Sequence, residues 1–293
     1  MTKLYCSVEC KTGMAGTSDQ VDIWLLVEYP DQWAAKFLEH PHLPQSLCSW
    51  IKRTEETLKL RGWKVRAQLI RRNRKQKDNM SAFIAVRESL YGFSFSRYDH
   101  LERFDLESLI LGNRLDQIES LSDPMYFVCT HGLRDNCCGK FGLPVYRELE
   151  SKYQDRVWQT THLGGHRFAP NVLVLPDGLL YGRVNLEDLT DFTDLVENKK
   201  IAFKYLRGRS AYRKHVQAAE VLSRTDGFKF LSFSGNEKKS KVYFDSPNGK
   251  QSITVFRQDN YEVLASCSDG EKKTVTHYIS HDEQDFPAKS SVT

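Results

Sequence analysis

The stretch Ser-Ala-Phe-Ile-Ala-Val-Arg-Glu-Ser-Leu-Tyr-Gly (81–92) aligns without gaps with Asn-Val-Leu-Val-Leu-Pro-Asp-Gly-Leu-Leu-Tyr-Gly (171–182). Each stretch contains two short apolar segments around a polar turn, a pattern that is typical of a β-hairpin. Any tight hairpin could produce a match of this length. The alignment therefore suggests an internal repeat, which needs support from the neighbouring sequence.

The order of the predicted elements gives that support. Around the first hairpin, the pattern predicts a strand at 22–28, a helix at 45–61, strands at 63–70, 81–87 and 90–96, and a closing helix near Phe104. Around the second, it predicts a strand at 125–129, a helix at 144–153 with Pro144 in its first turn, strands at 156–161, 171–175 and 179–184, and a helix at 186–198. Both sets run β-α-β-β-β-α, which suits a small mixed sheet with helices on its faces, as in thioredoxin-like units.

The sequence thus predicts an α/β (α+β) fold in three parts. Residues 1–118 form a thioredoxin-like unit without ligands, and residues 119–204 form a second such unit that carries the candidate site. Residues 205–293 form a helix and a small antiparallel sheet, with a polar tail from about Glu283. The Asn248-Gly249 pair predicts a hairpin turn in this last sheet.

Composition excludes several classes of protein. Hydrophobic residues make up 40% and charged residues 27% of the 293 residues, as in soluble globular chains. Apolar runs do not exceed five residues, and the N-terminus is polar, so we expect neither a transmembrane helix nor a secretory signal. The net charge of +4 is small, and the basic run 71–77 is expected to be a solvated loop. We therefore expect no nucleic-acid and no membrane partner.

The cysteines point to metal binding. Their number is odd and their spacing uneven, at positions 6, 10, 48, 129, 137, 138 and 267. We therefore do not expect a secreted protein with a disulfide framework. We expect a reducing, cytoplasmic location instead. In such a compartment, clustered cysteines and histidines more often bind metal than form disulfides.

Four such residues lie close together in the second predicted unit. Cys129 ends a predicted strand, Cys138 follows a polar loop, and His162 and His166 flank Leu-Gly-Gly after another strand. Strand ends meet at one edge of a sheet, so the two pairs are expected to converge. Two thiolates and two imidazoles suit Zn²⁺ or an iron–sulfur cluster, and spacing alone favours zinc. Cys137 could compete with Cys138 as a ligand.

The motifs Cys-Thr-His-Gly-Leu-Arg-Asp-Asn-Cys-Cys-Gly (129–139), His-Leu-Gly-Gly-His-Arg-Phe-Ala-Pro-Asn (162–171) and Tyr-Gly-Arg-Val (181–184) resemble the sucrase/ferredoxin-like family. Weaker similarity extends upstream to Ala15 and downstream to Glu220. The resemblance implies a thioredoxin-like protein with a [2Fe-2S] cluster, held by Cys129, Cys138, His162 and His166. Cys138 is preferred over its neighbour because it directly precedes a glycine, as in the family motif.

Other residues of these motifs are expected to support the cluster. His131 is predicted to structure the loop or support a ligand, with a role as ligand or proton relay as the alternative. Arg134 and Asp135 are predicted to pair with each other or to cap the loop, with docking of a redox partner as the alternative. Arg167 could screen the reduced cluster or simply lie at the surface. Backbone N–H groups are expected to donate hydrogen bonds to the cluster sulfurs from Gly139, Gly164 and Gly165. Cys6 and Cys10 could hold a second metal, but the first unit offers no matching pair of ligands. The cysteines outside the motifs are therefore expected to be ordinary core residues: Cys6, Cys10, Cys48 and Cys267.

Three functional classes follow from these residues. The first is an electron carrier, rather than an enzyme with its own substrate, whose partner is a redox protein such as a ferredoxin or a flavin reductase. The second is a structural or sensing zinc protein that uses the same four ligands. The third is a thiol oxidoreductase, which would need a strained disulfide between Cys137 and Cys138 because the chain lacks a Cys-x-x-Cys motif.

Overall fold

The computed structural model describes residues 5–73, 79–113, 118–267 and 271–280. Most of the predicted basic run and the polar tail lie outside these ranges. The first half of the chain contains α1 (Cys6–Glu9), β1 (Ile23–Glu28), α2 (Gln45–Leu60), β2 (Val65–Arg71), β3 (Met80–Val86), β4 (Ser89–Phe95), α3 (Leu106–Ile110) and β5 (Glu119–Leu121). The second half contains β6 (Met125–Cys129), α4 (Asn136–Tyr153), β7 (Val157–Thr160), β8 (Val172–Leu175), β9 (Leu179–Tyr181), α5 (Leu189–Glu197) and β10 (Leu206–Arg209). The C-terminal part contains α6 (Lys214–Ser223), β11 (Lys229–Gly235), β12 (Lys239–Asp245), β13 (Gln251–Leu264) and β14 (Lys272–Ser280).

Ten strands form one mixed sheet in the order β10-β9-β8-β6-β7-β2-β1-β3-β4-β5. The strand order is palindromic: the five strands of the second half follow the mirror image of the order in the first half. In each half the first strand is central, the second is parallel to it, and a hairpin pairs antiparallel on its other side. The halves join where β2 and β7 pair antiparallel, with Ile70 opposite Thr160. The predicted mixed α/β class is confirmed, and both halves have the predicted element order.

The edge strands extend the two halves beyond the predicted boundaries. Residues 119–121 pair with β4, and residues 206–209 pair with β9. β5 lies just after the predicted boundary at 118 but is the outer strand of the first half. β10 lies just after the predicted boundary at 204 but is the outer strand of the second half. In the described part of the C-terminal region, four strands form a separate antiparallel sheet in the order β11-β12-β13-β14, as expected. The predicted Asn248-Gly249 turn joins β12 and β13, with Gly249 at a φ of +90°.

Alternation along the central strands places apolar side chains on both faces of the large sheet. In β1, Ile23, Leu25 and Val27 pack with α2, while Trp24 and Leu26 pack into a second core on the opposite face. That second core also contains Cys129 and Cys138. Strands buried on both faces read as continuous apolar runs, which is why these short segments are recognisable in the sequence.

The helices of the described residues are all too short or too polar to cross a bilayer.

Candidate functional site

Cys129 is the last residue of β6, a strand whose five residues are all buried. The chain then passes through a short loop into α4, which begins at Asn136 rather than at the predicted 144. The prediction was wrong because the Asp135 carboxylate accepts a hydrogen bond from the backbone N–H of Cys137 at 2.9 Å and caps the helix. Pro144 therefore lies inside α4 and does not open it. Cys137 and Cys138 consequently occupy the first turn of a helix.

Two glycines of α4 let the helix approach the end of β6 closely. A Cβ at Gly142 would lie 2.1 Å from the carbonyl oxygen of Cys129, and a Cβ at Gly139 would lie 2.8 Å from Cα of Gly132. The backbone of α4 thus rests directly on the residues around Cys129. This close packing brings the side chain of Cys138 to that of Cys129.

Cys129, Cys138 and His162 form a compact group of potential metal ligands. Their ligand atoms all lie within 4.8 Å of one another. Nδ1 of His162 is 3.5 Å from Sγ of Cys138 and 4.0 Å from Sγ of Cys129. Three of the four ligands implied by the family resemblance therefore come together. The structure also separates the two adjacent cysteines, because Cys137 points into a different group.

Hydrogen bonds to Cys129 favour its thiolate form. The pKa of Cys129 is well below its ordinary value because Cys138 donates to it, and because His162 and the backbone N–H of Leu163 also lie against it. The pKa of Cys138 is raised, since this thiol holds the shared proton and is buried. The sequence did not predict the Leu163 N–H group, and the predicted hydrogen bonds to sulfur from Gly139, Gly164 and Gly165 stay a prediction.

The loop that carries the two histidines is held by long-range contacts. Gly164 and Gly165 have φ values of +84° and +66°, a backbone conformation that residues with a side chain rarely adopt. The carbonyl of His162 accepts a hydrogen bond from Arg66 of β2 at 2.7 Å, and that of Gly164 accepts one from Arg207 of β10 at 2.9 Å. The first half of the chain therefore positions a candidate ligand, His162, in the second half. Neither arginine contact was predicted, because nothing local in the sequence signals it.

Arg207 is almost completely buried and donates hydrogen bonds to three parts of the chain. Besides Gly164, its guanidinium contacts the side chain of Asn171 at 2.8 Å and the carbonyl of Thr17 at 2.7 Å. An Arg207→Met variant leaves these acceptors without a donor, and we expect it to lose about 2–3 kcal/mol of unfolding free energy. Urea denaturation measures the loss. Arg134→Met is the matched control: its side chain is exposed, and its effect should stay within about 0.5 kcal/mol.

His166, the fourth implied ligand, lies beside the compact group but is turned partly away from it. Its ring centroid is 5.8 Å from that of His162. Its Nδ1 lies 3.0 Å from Sγ of Cys6 and 3.2 Å from a carboxylate oxygen of Asp135. Burial lowers the pKa of His166, which favours the neutral imidazole that a metal requires. Its assignment as a ligand stays a prediction.

A second group of potential ligands lies on the other side of His166. It consists of Cys6, Cys137, Cys267 and Asp135, whose ligand atoms lie within 4.8 Å of one another. Cys6 and Cys267 pack in a small core cluster, as expected of core cysteines, but the sequence did not predict that they meet in a group of potential ligands. Cys267 follows the end of β13 and does not lie within a strand. The pKa of Cys137 is lowered to about 6, chiefly by a hydrogen bond from Cys6.

The remaining predicted residues have mostly structural contacts. His131 is buried, and its Nε2 lies 2.9 Å from the carbonyl of Ala34; its loop-structuring role stays a prediction. The side chain of Arg134 is exposed, and the carboxylate of Asp135 caps α4 instead of pairing with Arg134. The guanidinium of Arg167 lies 4.4 Å from the Phe168 ring centroid.

The large mixed sheet and the thiol and imidazole groups gathered at one edge of it define an α/β protein with a candidate Cys/His metal site. The chain belongs to the sucrase/ferredoxin-like family, whose model matches residues 14–208. It is also 30% identical, over 111 residues, to "Altered inheritance of mitochondria protein 32" from Meyerozyma guilliermondii. This alignment covers 34% of the chain and 38% of that relative. No solved structure matches the chain.

Proposed function

We propose that the protein binds a [2Fe-2S] cluster and acts in electron transfer. Cys129, Cys138, His162 and His166 would hold the cluster, which supplies one-electron chemistry when bound. The main observation that supports this proposal is the convergence of two buried thiols and an imidazole within 4.8 Å, with a second imidazole beside them. Thiolates and imidazoles are the donors that such clusters accept, so the residues fit the group.

The palindromic strand order supports a further part of this proposal. We propose that the two halves are tandem thioredoxin-like units, joined through equivalent strands, and that only the second binds the cluster. β1 of the first half ends at Glu28, where the corresponding strand β6 ends at Cys129. The cysteine of α2, Cys48, lies 3.8 Å from the carbonyl of Leu38. That half therefore serves as a scaffold, and its Arg66 holds the His162 backbone.

The mixed ligand set determines the expected reduction potential. Two thiolates and two neutral imidazoles leave an oxidised [2Fe-2S] site formally neutral, whereas four thiolates make it doubly negative. Adding an electron to the neutral site costs less, so we expect a potential above the roughly −400 mV of plant-type ferredoxins. The backbone N–H of Leu163, which lies against Cys129, would raise the potential further because it stabilises negative charge on sulfur.

We expect the potential to depend on pH. A neutral imidazole ligand of oxidised iron can lose its outer N–H proton, and the reduced site, being more electron-rich, holds that proton more tightly. The potential should therefore become more negative as pH rises, by at most roughly 59 mV per pH unit for each proton. Protein-film voltammetry from about pH 6 to pH 10 measures this dependence in the neutral to alkaline range. A potential that stays constant over this range contradicts ligation by histidine.

Metal and sulfide analysis tests the cluster itself. Protein purified without oxygen should be coloured and contain about two irons and two acid-labile sulfides per chain at this site. A colourless protein without iron, also after anaerobic reconstitution with iron and sulfide, contradicts the proposal.

The second candidate function is a structural or sensing zinc protein. The observation in its favour is the short distance from Nδ1 of His162 to the two sulfurs, 3.5 and 4.0 Å. A single tetrahedral Zn²⁺ places neighbouring sulfur and nitrogen ligands roughly 3.5 Å apart. Zinc without iron or sulfide, lost on Cys138→Ser, would select this alternative.

The partner and compartment follow from the same reasoning. We propose a redox protein such as a ferredoxin or a flavin reductase as the partner, since an electron carrier needs a donor and an acceptor. All seven cysteines are free thiols, which suits a reducing compartment, and we propose the cytoplasm. Fractionation of the source cells tests the location, which the relative's name, with its reference to mitochondria, leaves open.

A further inference from the structure

We propose that Cys6, Cys137, Cys267 and Asp135 form a second metal site, separate from the proposed cluster, that takes a thiophilic divalent ion, Zn²⁺. Three sulfurs and one carboxylate oxygen are a complete tetrahedral set for zinc. The ion would be structural, because a site with four protein ligands leaves no open position for a substrate.

The distances between the ligand atoms suit one small ion. The three Sγ atoms form a triangle with edges of 3.0 Å between Cys137 and Cys267, 3.4 Å between Cys6 and Cys267, and 3.5 Å between Cys6 and Cys137. An oxygen of Asp135 lies 4.0 Å from Sγ of Cys6. Tetrahedral zinc separates its sulfur ligands by roughly 3.8 Å. An expansion of less than an ångström along each edge of the triangle therefore admits the ion.

Hydrogen bonds orient the thiols as they do around bound metals. Sγ of Cys137 accepts from the backbone N–H of Ser7 at 3.4 Å and from its hydroxyl at 3.2 Å. Sγ of Cys267 accepts from the backbone N–H of Cys6 at 3.4 Å. Such outer contacts fix the direction of ligands and stabilise charge on sulfur.

The carboxylate of Asp135 is equally well fixed. One oxygen accepts the N–H of Cys137 at 2.9 Å, and the other accepts the N–H of Cys267 at 3.2 Å. Its side chain is 2% exposed. The guanidinium of Arg167 interacts electrostatically with Cys6 and would offset part of the negative charge that the ligands carry once the metal is bound. The thiols would give up their protons as the metal binds, so the anionic set would form only together with its cation.

The site would connect three distant parts of the chain. Cys6 lies in α1, Cys137 in the first turn of α4, and Cys267 beyond the end of β13. A zinc ion here would hold the N-terminal segment and the C-terminal sheet against the helix that carries Cys138. A disulfide between Cys137 and Cys267 would involve only two of the three thiols and would not account for the position of Cys6 beside both sulfurs.

Metal analysis of variants tests this site. We expect about one zinc per chain at this site in the full-length protein, in addition to the metal of the first site. Cys267→Ser should remove that zinc and keep the visible chromophore. Cys10→Ser is the matched control, since Cys10 is buried nearby but lies 3.1 Å from the Thr12 hydroxyl and outside the group; it should keep both metals. Zinc that persists at full occupancy in Cys267→Ser overturns the proposal.

A measurement on the unaltered protein covers the case in which Cys267→Ser fails to fold. Zinc X-ray absorption of the iron-loaded protein should show three sulfurs and one lighter ligand. Iron-loaded protein without zinc, or with a Cys137–Cys267 disulfide found by mass spectrometry, overturns the second site. If the first site holds zinc instead of iron, Cys138→Ser removes that ion and Cys267→Ser removes the other. Failure of the proposed cluster is then distinguishable from failure of this inference.

Discussion

A Cys138→Ser variant is expected to lose its iron, its labile sulfide and its visible absorption, whereas Cys137→Ser keeps all three. The two residues are neighbours in the first turn of α4, and both are completely buried. Their sulfurs nevertheless belong to different groups, since Cys138 lies against Cys129 and His162 while Cys137 lies against Cys6 and Cys267. Each substitution is therefore the control for the other.

Iron and sulfide assays on the two variants, purified side by side without oxygen, measure this difference. Replacing a thiolate ligand by a hydroxyl removes a strong soft donor, so the loss at Cys138 should be nearly complete. The reverse pattern, loss at Cys137 and retention at Cys138, would show that the motif cysteine preferred here is the wrong one.

A Gly142→Ala variant is expected to be strongly destabilised. Its Cβ would lie 2.1 Å from the carbonyl oxygen and 3.1 Å from the carbonyl carbon of Cys129. These are backbone atoms of a central strand, so α4 itself has to shift. We expect a loss of about 3 kcal/mol of unfolding free energy or more, and a fall in the melting temperature of roughly 6–12 °C.

The control for this change is Gly13→Ala, because a Cβ at that position meets nothing within 4 Å. Thermal unfolding followed by circular dichroism compares the two variants. The Gly142→Ala protein should also retain less iron, since the same shift moves Cys138 away from Cys129. Equal melting temperatures for both variants and the parent protein would contradict the tight packing of α4 on β6.

Much of the large sheet could be predicted from the sequence because its strands are short apolar runs between turns. The strand at 125–129 has its predicted bounds, and the gapless match of 81–92 with 171–182 marks equivalent hairpins in the two halves. The start of α4 could not be predicted in the same way. The pattern favoured Pro144 as a first-turn residue. Asp135, whose side chain caps the helix and fixes its start, looks in the sequence like an ordinary polar loop residue.

The candidate site divides along similar lines. The convergence of Cys129 with Cys138 and His162 could be predicted because strand ends meet at one sheet edge. The second group could not, because Cys6 and Cys267 are 261 positions apart and are brought together only by tertiary packing. The contacts of Arg66 and Arg207 with the histidine loop are of the same long-range kind.

The electron paramagnetic resonance spectrum of the dithionite-reduced protein, purified without oxygen, tests the central claim most directly. Ligation by Cys129, Cys138, His162 and His166 predicts a rhombic [2Fe-2S] signal of low average g value, like that of Rieske centres. A His162→Cys variant should shift this signal towards that of a four-cysteine ferredoxin. A signal of the four-cysteine type in the unaltered protein, or an iron-loaded protein that remains silent on reduction, would contradict the account.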